Sequence, residues 1–172
     1  GTFRGKREAD KIAGKIKQLN PDVVFNTGDM FDSKAHFGVN EDVLAAFRTL
    51  NMPHYFVYGN HDQHVGVEEV IQQLKGANAT VLLNEVGYFK ELQIIGLNNM
   101  LADRNTFDMH TAEDSETIED VLNELELKEG SPTIVLHHRP DGVKYMQEKD
   151  AGLLLAGHTH AGQIFPFTFI AK

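Results

Sequence analysis

The chain has 172 residues, 41% of them hydrophobic, no cysteine, and a formal net charge of -9 that arises from 16 Lys+Arg against 25 Asp+Glu. This length is typical of one domain with a sizeable core, and the lack of cysteine excludes disulfides, thiolate metal sites, iron–sulfur clusters and a cysteine nucleophile. The acidic balance argues against a sequence-independent grip on a nucleic-acid backbone, and no run approaches the roughly 20 apolar residues that cross a bilayer.

The first half of the chain alternates between helical and extended patterns. Apolar residues at helical spacing predict amphipathic helices, and short apolar runs predict buried strands. In chain order the pattern predicts a helix that ends at Asn20-Pro21, a strand at 23–25, a helix at 41–50, a strand at 55–57 and a helix at 67–74. This alternation predicts an α/β layered domain.

The second half begins with segments of strand character. In chain order the pattern predicts strands at 79–83, 88–89 and 92–97, a loop at 98–111, an acidic helix at 113–129, and strands at 133–136 and 153–155. Turn-forming residues at 84–87 suggest that the first three strands form an antiparallel meander. The charges at 113–129 predict a solvated helix face. No repeat or linker divides the chain, so we expect a single domain over residues 1–172.

Polar side chains follow four of the predicted strands at the point where each strand ends. They are Asp29, the Gly-Asn-His-Asp cluster at 59–62, the pair His137-His138, and the Gly-His-Thr-His cluster at 157–160. The carboxyl ends of strands line the ligand crevice of open α/β sheets, so we expect these side chains to converge. Imidazoles with a carboxylate and an amide oxygen suit manganese, iron, cobalt, nickel or zinc better than calcium or magnesium. The sequence therefore predicts a transition-metal site.

Each cluster taken alone has a plainer interpretation. A Gly-Asp pair such as the one at Asp29 is usually a turn closed by its own side chain, and residues 59–62 could also form a plain turn. The histidines at 158–160 could be exposed in a loop. Adjacent side chains on a strand point to opposite faces, so only one of His137 and His138 can be a ligand.

The four clusters together resemble the calcineurin-like metallophosphoesterase family. The family pattern is Asp-x-His, Gly-Asp-x-x-Asp, Gly-Asn-His-Asp/Glu, an isolated His, and Gly-His-x-His. The chain matches it, from about residue 23 to 163, with Gly28-Asp29-Met30-Phe31-Asp32, Gly59-Asn60-His61-Asp62, His138 before Arg139-Pro140, and Gly157-His158-Thr159-His160. The ending at 158–166 resembles a subgroup whose phosphoesterase domain follows membrane-spanning helices.

The resemblance implies a layered α/β/β/α sandwich of two mixed β-sheets flanked by helices, with two divalent transition-metal ions. It implies that Asp29 bridges both ions and that Asp32 supports the ligands from behind. The remaining implied ligands are Asn60, His138 and His158 for one ion and His160 for the other. A pair of ions of this kind activates a water as hydroxide and clamps phosphoryl oxygens.

The resemblance also implies a role for residues that do not bind metal. His61 would protonate the leaving group or steady the phosphoryl oxygens, and Asp62 would hold His61. His64 lies just past this cluster and could reach a substrate. Arg139 could grip a substrate phosphate, although pairing with a carboxylate of the protein is the more ordinary interpretation.

The opening Asp-x-His of the family pattern is absent from the chain, which begins at Gly1 and stops inside an apolar stretch. We therefore expect a fragment of a longer protein that lacks the first strand and the last strands of the domain. Without that motif, the ion held by His160 would keep only Asp29 and His160 as ligands, which are too few for tight binding. We expect the domain itself to be soluble and its parent to be anchored in a membrane by flanking segments, the alternative being a cytoplasmic protein.

These observations predict a metal-dependent hydrolase of phosphomonoesters or phosphodiesters that acts on small substrates. The main alternative is a non-catalytic member of the same fold that serves as a protein-binding scaffold, which the missing motif favours. A nuclease for long nucleic acid is disfavoured because the acidic chain has no basic stripe interleaved with aromatic residues.

Overall fold

The computed structural model describes residues 6–31, 41–106 and 115–159. The helices in this part of the chain are α1 (Lys6–Leu19), α2 (Glu41–Phe47), α3 (Asn60–Val65), α4 (Val67–Lys75), α5 (Ile118–Glu124) and α6 (Val143–Glu148). The strands are β1 (Val24–Asn26), β2 (His54–Phe56), β3 (Ala79–Val81), β4 (Glu85–Phe89), β5 (Leu92–Gly96), β6 (Thr133–Leu136) and β7 (Leu153–Leu155).

The first sheet has the order β1-β2-β3, and its strands are all parallel. Each connection crosses over through helices, as parallel strands require. The outer face of the sheet is covered by α1, α2 and α4, where Phe56 of β2 packs in one cluster with Leu44 and Leu74. The opposite face of the same strand carries Tyr55, which points away from these helices.

The second sheet has the order β4-β5-β6-β7. β4 and β5 form an antiparallel hairpin, whereas β5, β6 and β7 are parallel. Its outer face packs against α5 and α6, with Ile95 and Val135 from the strands meeting Val121 and Met146 from the helices.

The inner faces of the two sheets pack against each other through a third cluster, which includes Tyr55, Leu82, Ile94 and Leu136. The sheets approach each other closely at Leu82. A Cβ placed on Gly96 of β5 would overlap the Leu82 side chain, so only glycine leaves room for it. The protein is therefore an α/β/β/α sandwich, and this confirms the predicted fold. The layered arrangement aligns the carboxyl ends of β1, β2, β6 and β7 at one edge.

The predicted meander is wrong. β3 pairs in parallel with β2 and so belongs to the first sheet, while β4 and β5 pair only in the second sheet. β4 begins at Glu85, and the hairpin turn lies at Lys90-Glu91, where Lys90 has a φ of 54°. Neither turn residue is glycine or asparagine, so the turn carried none of the usual sequence signals.

Three helices also differ from the prediction, and one of them is α3, which lies where the sequence predicts no helix. α5 is shorter than the acidic segment, because Leu125 and Leu127 both pack on the outer cluster at the two-residue spacing of extended chain. α6 was not predicted; it has six residues and follows Gly142, whose φ of 74° is left-handed. Within the described ranges, no helix is long and apolar enough to cross a membrane.

Candidate metal centre

Four loops at the carboxyl edge of the two sheets bring four side chains to one point. The His138 Nε2 atom lies 3.2 Å from Asp29 Oδ2 and 3.1 Å from Asn60 Oδ1. The His158 Nδ1 atom lies 3.1 Å from both His138 Nε2 and Asn60 Oδ1. Asp29 follows β1, Asn60 begins α3 after β2, and the two histidines follow β6 and β7. The side chains come from both sheets, so the site depends on how the sheets pack.

The donor set at this point fits a divalent cation. His138 Nδ1–H donates to the Thr27 carbonyl at 2.7 Å, which leaves a lone pair on Nε2 facing acceptors on Asp29, Asn60 and His158. A proton on Nε2 can be directed at one of these acceptors, whereas a cation attracts all of them. Ligand atoms about 2.0–2.2 Å from a shared cation lie about 3.0–3.6 Å from one another. The contacts of His138 Nε2 with Asp29, Asn60 and His158, at 3.2, 3.1 and 3.1 Å, fall in this range.

The electrostatics of the cluster favour positive charge. Burial by itself raises the pKa of the Asp29 carboxyl, but the contact with the His138 ring and the hydrogen bond from the His61 backbone N–H lower it below its usual value. Burial likewise lowers the pKa of His138, but the contacts with Asp29 and the Thr27 carbonyl raise it overall. Both shifts favour an ionised Asp29 carboxylate next to a positive charge.

The backbone at two of these positions is strained. Asp29 has a φ of 56° and His158 a φ of 67°, in the left-handed region that costs energy for residues with a Cβ. Gly28, with a φ of 90°, lets the chain turn before Asp29, and a Cβ there would lie 2.8 Å from the Tyr58 carbonyl carbon. Strained residues cluster at functional sites, where surrounding contacts hold them in place.

Asp62 ties two of the ligand loops together. Its carboxylate accepts hydrogen bonds from the backbone N–H groups of Asp29 at 2.7 Å, Phe31 at 2.9 Å and Gly59 at 2.9 Å. Its side chain is fully buried, and burial raises the pKa of the carboxyl to about 6 against the opposing effect of these donors. The described contacts of Asp62 position the loops that carry Asp29 and Asn60, and the expected contact of Asp62 with His61 stays a prediction.

His61 and His64 lie on the short helix α3 that begins at Asn60. The His61 backbone N–H donates to Asp29 Oδ1 at 3.0 Å, so the residue is adjacent to the cluster and its side chain is half-buried. His64 is exposed, and its Nδ1–H donates to the Asn60 carbonyl at 2.5 Å. His64 thus braces the backbone of a cluster residue, a contact that its spacing of four on a helix explains.

Arg139 and His137 flank His138 in the sequence, and their described contacts lie beside the cluster. Arg139 Nε contacts Asp141 Oδ2 at 3.0 Å, which is the carboxylate pairing considered above. His137 is fully buried on the other side of β6, and burial lowers its pKa to about 4. Asp32 and His160, the other residues that the resemblance implicates, lie outside the described residues.

One part of the site had no sequence signal. The Thr27 carbonyl fixes the tautomer of His138, and a backbone acceptor of this kind can belong to any residue type. Only the approach of the loop after β1 to the loop after β6 reveals it.

The comparisons with known proteins agree with this geometry. The family model described as calcineurin-like phosphoesterase matches residues 5–162. An uncharacterized metallophosphoesterase of Helicobacter pylori is 30% identical over the whole chain and 45% of its own length. The zebrafish (Danio rerio) transmembrane protein with metallophosphoesterase domain is 29% identical over 99% of the chain and 40% of its own length. The Escherichia coli phosphodiesterase YaeI is 30% identical over 91% of the chain and 54% of its own length. The chain thus spans about half the length of the curated relatives it matches.

Proposed function

The chain belongs to the calcineurin-like phosphoesterase family, and on that premise we propose that it is a metal-dependent hydrolase of phosphomonoesters or phosphodiesters. The observation that carries the proposal is a group of acceptor atoms from the loops of both sheets. Acceptor atoms of Asp29, Asn60 and His158 lie 3.1–3.2 Å from His138 Nε2. Carboxylate oxygen, amide oxygen and imidazole nitrogen grouped in this way are the ligand types that divalent transition metals take in proteins. The ligands proposed from the described residues are Asp29, Asn60, His138 and His158.

A divalent cation at this position would supply Lewis acidity that polarises phosphoryl oxygens and makes a water molecule reactive near neutral pH. The protein orients its ligands for that task. The Thr27 carbonyl holds His138 in the tautomer that presents Nε2, and the His61 backbone N–H holds Asp29 Oδ1 so that Oδ2 faces the cluster.

His61 is the proposed general acid. It is the side chain next to Asn60 on α3, and its backbone contact with Asp29 keeps it within reach of a phosphoester bound at the cluster. Its imidazole would donate a proton to the departing alkoxide oxygen, a contribution of about 10² to 10⁴ in rate. Asp62 assists indirectly by fixing the turn from which α3 starts.

A second ion is part of the proposal. Asp29 would be shared by the two ions, His160 would bind the second, and Asp32 would support the ligands. The metals are proposed to be two of manganese, iron, zinc, nickel or cobalt, because the donor set mixes imidazole nitrogen with carboxylate and amide oxygen.

The name of the E. coli relative supports diesters as substrates, and that of the zebrafish relative supports a parent protein anchored in a membrane. We propose small phosphoesters as the substrate class, because the net charge of -9 disfavours binding of long nucleic acid. The phosphatase activity toward monoesters is proposed alongside, since the site has no described feature that rejects one ester class.

The test is hydrolysis of bis(p-nitrophenyl) phosphate and p-nitrophenyl phosphate with Mn²⁺, alongside metal content after dialysis, by the chain extended upstream so that it carries the Asp-x-His motif of the family. We expect His61→Ala to lower kcat by about 10²-fold or more with unchanged metal content, and Asp29→Ala to lose both metal and turnover. Gln63→Ala, an exposed change on the same helix, is the matched control and should retain both. Metal binding without hydrolysis of either ester would instead favour the scaffold function.

A further inference from the structure

His137 precedes the proposed ligand His138 but lies outside the cluster. It continues β6 by donating its backbone N–H to the Leu155 carbonyl at 3.2 Å. Strand alternation places its side chain on the face of Val135, which packs against α5 and α6. His137 is therefore buried behind the metal centre, on the far side of the second sheet.

The ring of His137 closes a turn around His138. Its Nδ1–H donates to the backbone carbonyl of Arg139 at 2.7 Å, so the hydrogen bond spans from the residue before His138 to the residue after it. A bond of this kind limits the backbone directions available to the residue it encloses. The orientation of His138 toward Asp29 thus depends on two contacts, its own bond to the Thr27 carbonyl and the bond that His137 makes around it.

Asp141 braces the same turn. Its Oδ2 pairs with Arg139 Nε at 3.0 Å, whereas its Oδ1, 3.5 Å from His137 Nδ1, accepts no hydrogen bond in the described part of the chain. The residue between them, Pro140, has a backbone φ restricted by its ring. The side chains and backbone of residues 137–141 therefore form one cross-connected turn.

Packing alone does not explain an imidazole at this position. His137 Nε2 is buried and has no hydrogen-bond partner in the part of the chain that the structure describes. An apolar side chain of similar size would fill the same space without leaving a buried nitrogen unpaired. What only the imidazole provides here is the Nδ1–H donor to Arg139.

We propose that His137 is a positioning residue, whose Nδ1–H bond to the Arg139 carbonyl, braced by Asp141, holds the turn that presents His138 Nε2 to the metal. The proposal rests on the proposed function in taking His138 as a ligand.

The test compares two nearly isosteric substitutions. In His137→Asn the side-chain NH₂ occupies the place of Nδ1 and can still donate to Arg139, whereas His137→Leu has the same shape without a donor. Co²⁺ alone is the probe, because its visible absorption reports both its affinity and its ligand geometry. We expect His137→Asn to stay within about threefold of the wild-type Co²⁺ affinity. We expect His137→Leu to bind Co²⁺ about 10- to 100-fold more weakly with a changed spectrum, as for other groups that orient metal ligands.

A purely structural role predicts the opposite order, because leucine suits a buried site better than asparagine does. Equal Co²⁺ affinity and spectra for wild type and His137→Leu, with both folded by circular dichroism, would overturn the proposal. If His137→Leu does not fold, Asp141→Ala decides: a loss of about threefold or more in Co²⁺ affinity supports the brace, and an unchanged affinity overturns it. Failure of the wild type to bind Co²⁺ would refute the proposed function itself, and this proposal with it.

Discussion

His54, the first residue of β2, is buried against the ring of Phe47, with ring centroids 5.6 Å apart. Both of its ring nitrogens are buried without a hydrogen-bond partner among the described residues. Burial lowers the pKa of His54 to about 4 from its ordinary value of 6.5. The folded protein therefore keeps this imidazole neutral under conditions in which the unfolded chain protonates it.

This shift predicts a pH-dependent loss of stability. Above about pH 7.5 the ring is neutral in both the folded and the unfolded state and adds no pH dependence to the unfolding free energy. As the pH falls through 6.5, the unfolded chain binds a proton that the folded protein binds only near pH 4. By linkage, the free energy of unfolding falls by about 2 kcal/mol per such group between pH 7.5 and pH 5. His54→Leu should remove this part of the decrease, measured by urea unfolding at both pH values.

The control for His54→Leu is Phe56→Leu, a change at a fully buried apolar residue of the same strand. It should destabilise the protein by a similar amount at both pH values, because no proton is involved. If the unfolding free energy of His54→Leu decreases from pH 7.5 to pH 5 as steeply as that of the wild type, His54 is not the source of the pH dependence.

At the level of single residues the sequence predicts which side chains meet better than it predicts what each does. Strand alternation requires that only one of His137 and His138 face the cluster, and the resemblance selects His138, which is the one the structure brings to Asp29. Asp62 could be predicted as a site residue but not as the acceptor of three backbone N–H groups. Bonds to backbone place no demand on the partner's residue type, so the sequence carries no trace of them.

The turn from β2 into α3 depends on Gly59. Its φ is -98°, which any residue can adopt, so the constraint is space. A Cβ on Gly59 would overlap the Asp29 carboxylate and lie 2.7 Å from His138 Cε1. Gly59→Ala should therefore displace the ligands and weaken Mn²⁺ binding by more than about tenfold, as measured by calorimetric titration.

Gly14 provides the matched control for this substitution. It lies in α1, and a Cβ there would have no atom within 4 Å. Gly14→Ala should leave Mn²⁺ binding unchanged and stabilise the protein by up to about 1 kcal/mol through helix propensity. Wild-type Mn²⁺ affinity in Gly59→Ala would show that the turn can rearrange without cost to the site.

At the level of elements, the sequence predicts those with strong periodicity. β6 and β7 have the predicted bounds, and α1 and α4 lie where helical spacing places them. Which sheet a short strand joins depends on the path of the chain before it. β3 follows the crossover through α4 and so pairs with β2, and no property of residues 79–81 themselves distinguishes this from a meander.

At the level of the whole molecule, an acidic protein is proposed to bind an anionic substrate. The net charge of -9 is a sum over the whole chain, and charges more than about 8 Å from a phosphoester are largely screened at physiological ionic strength. Bound divalent cations would be the largest local charges in the site. The sandwich fold makes this possible because it gathers imidazoles and a carboxylate at one edge.

The position of a bound metal tests the central claim most directly. Crystals of the protein grown with Mn²⁺ should show an anomalous-scattering peak that contacts Asp29 Oδ2, Asn60 Oδ1, His138 Nε2 and His158 Nδ1 together. An ordered structure with no peak among these four atoms, or with Mn²⁺ bound only elsewhere, would contradict the account.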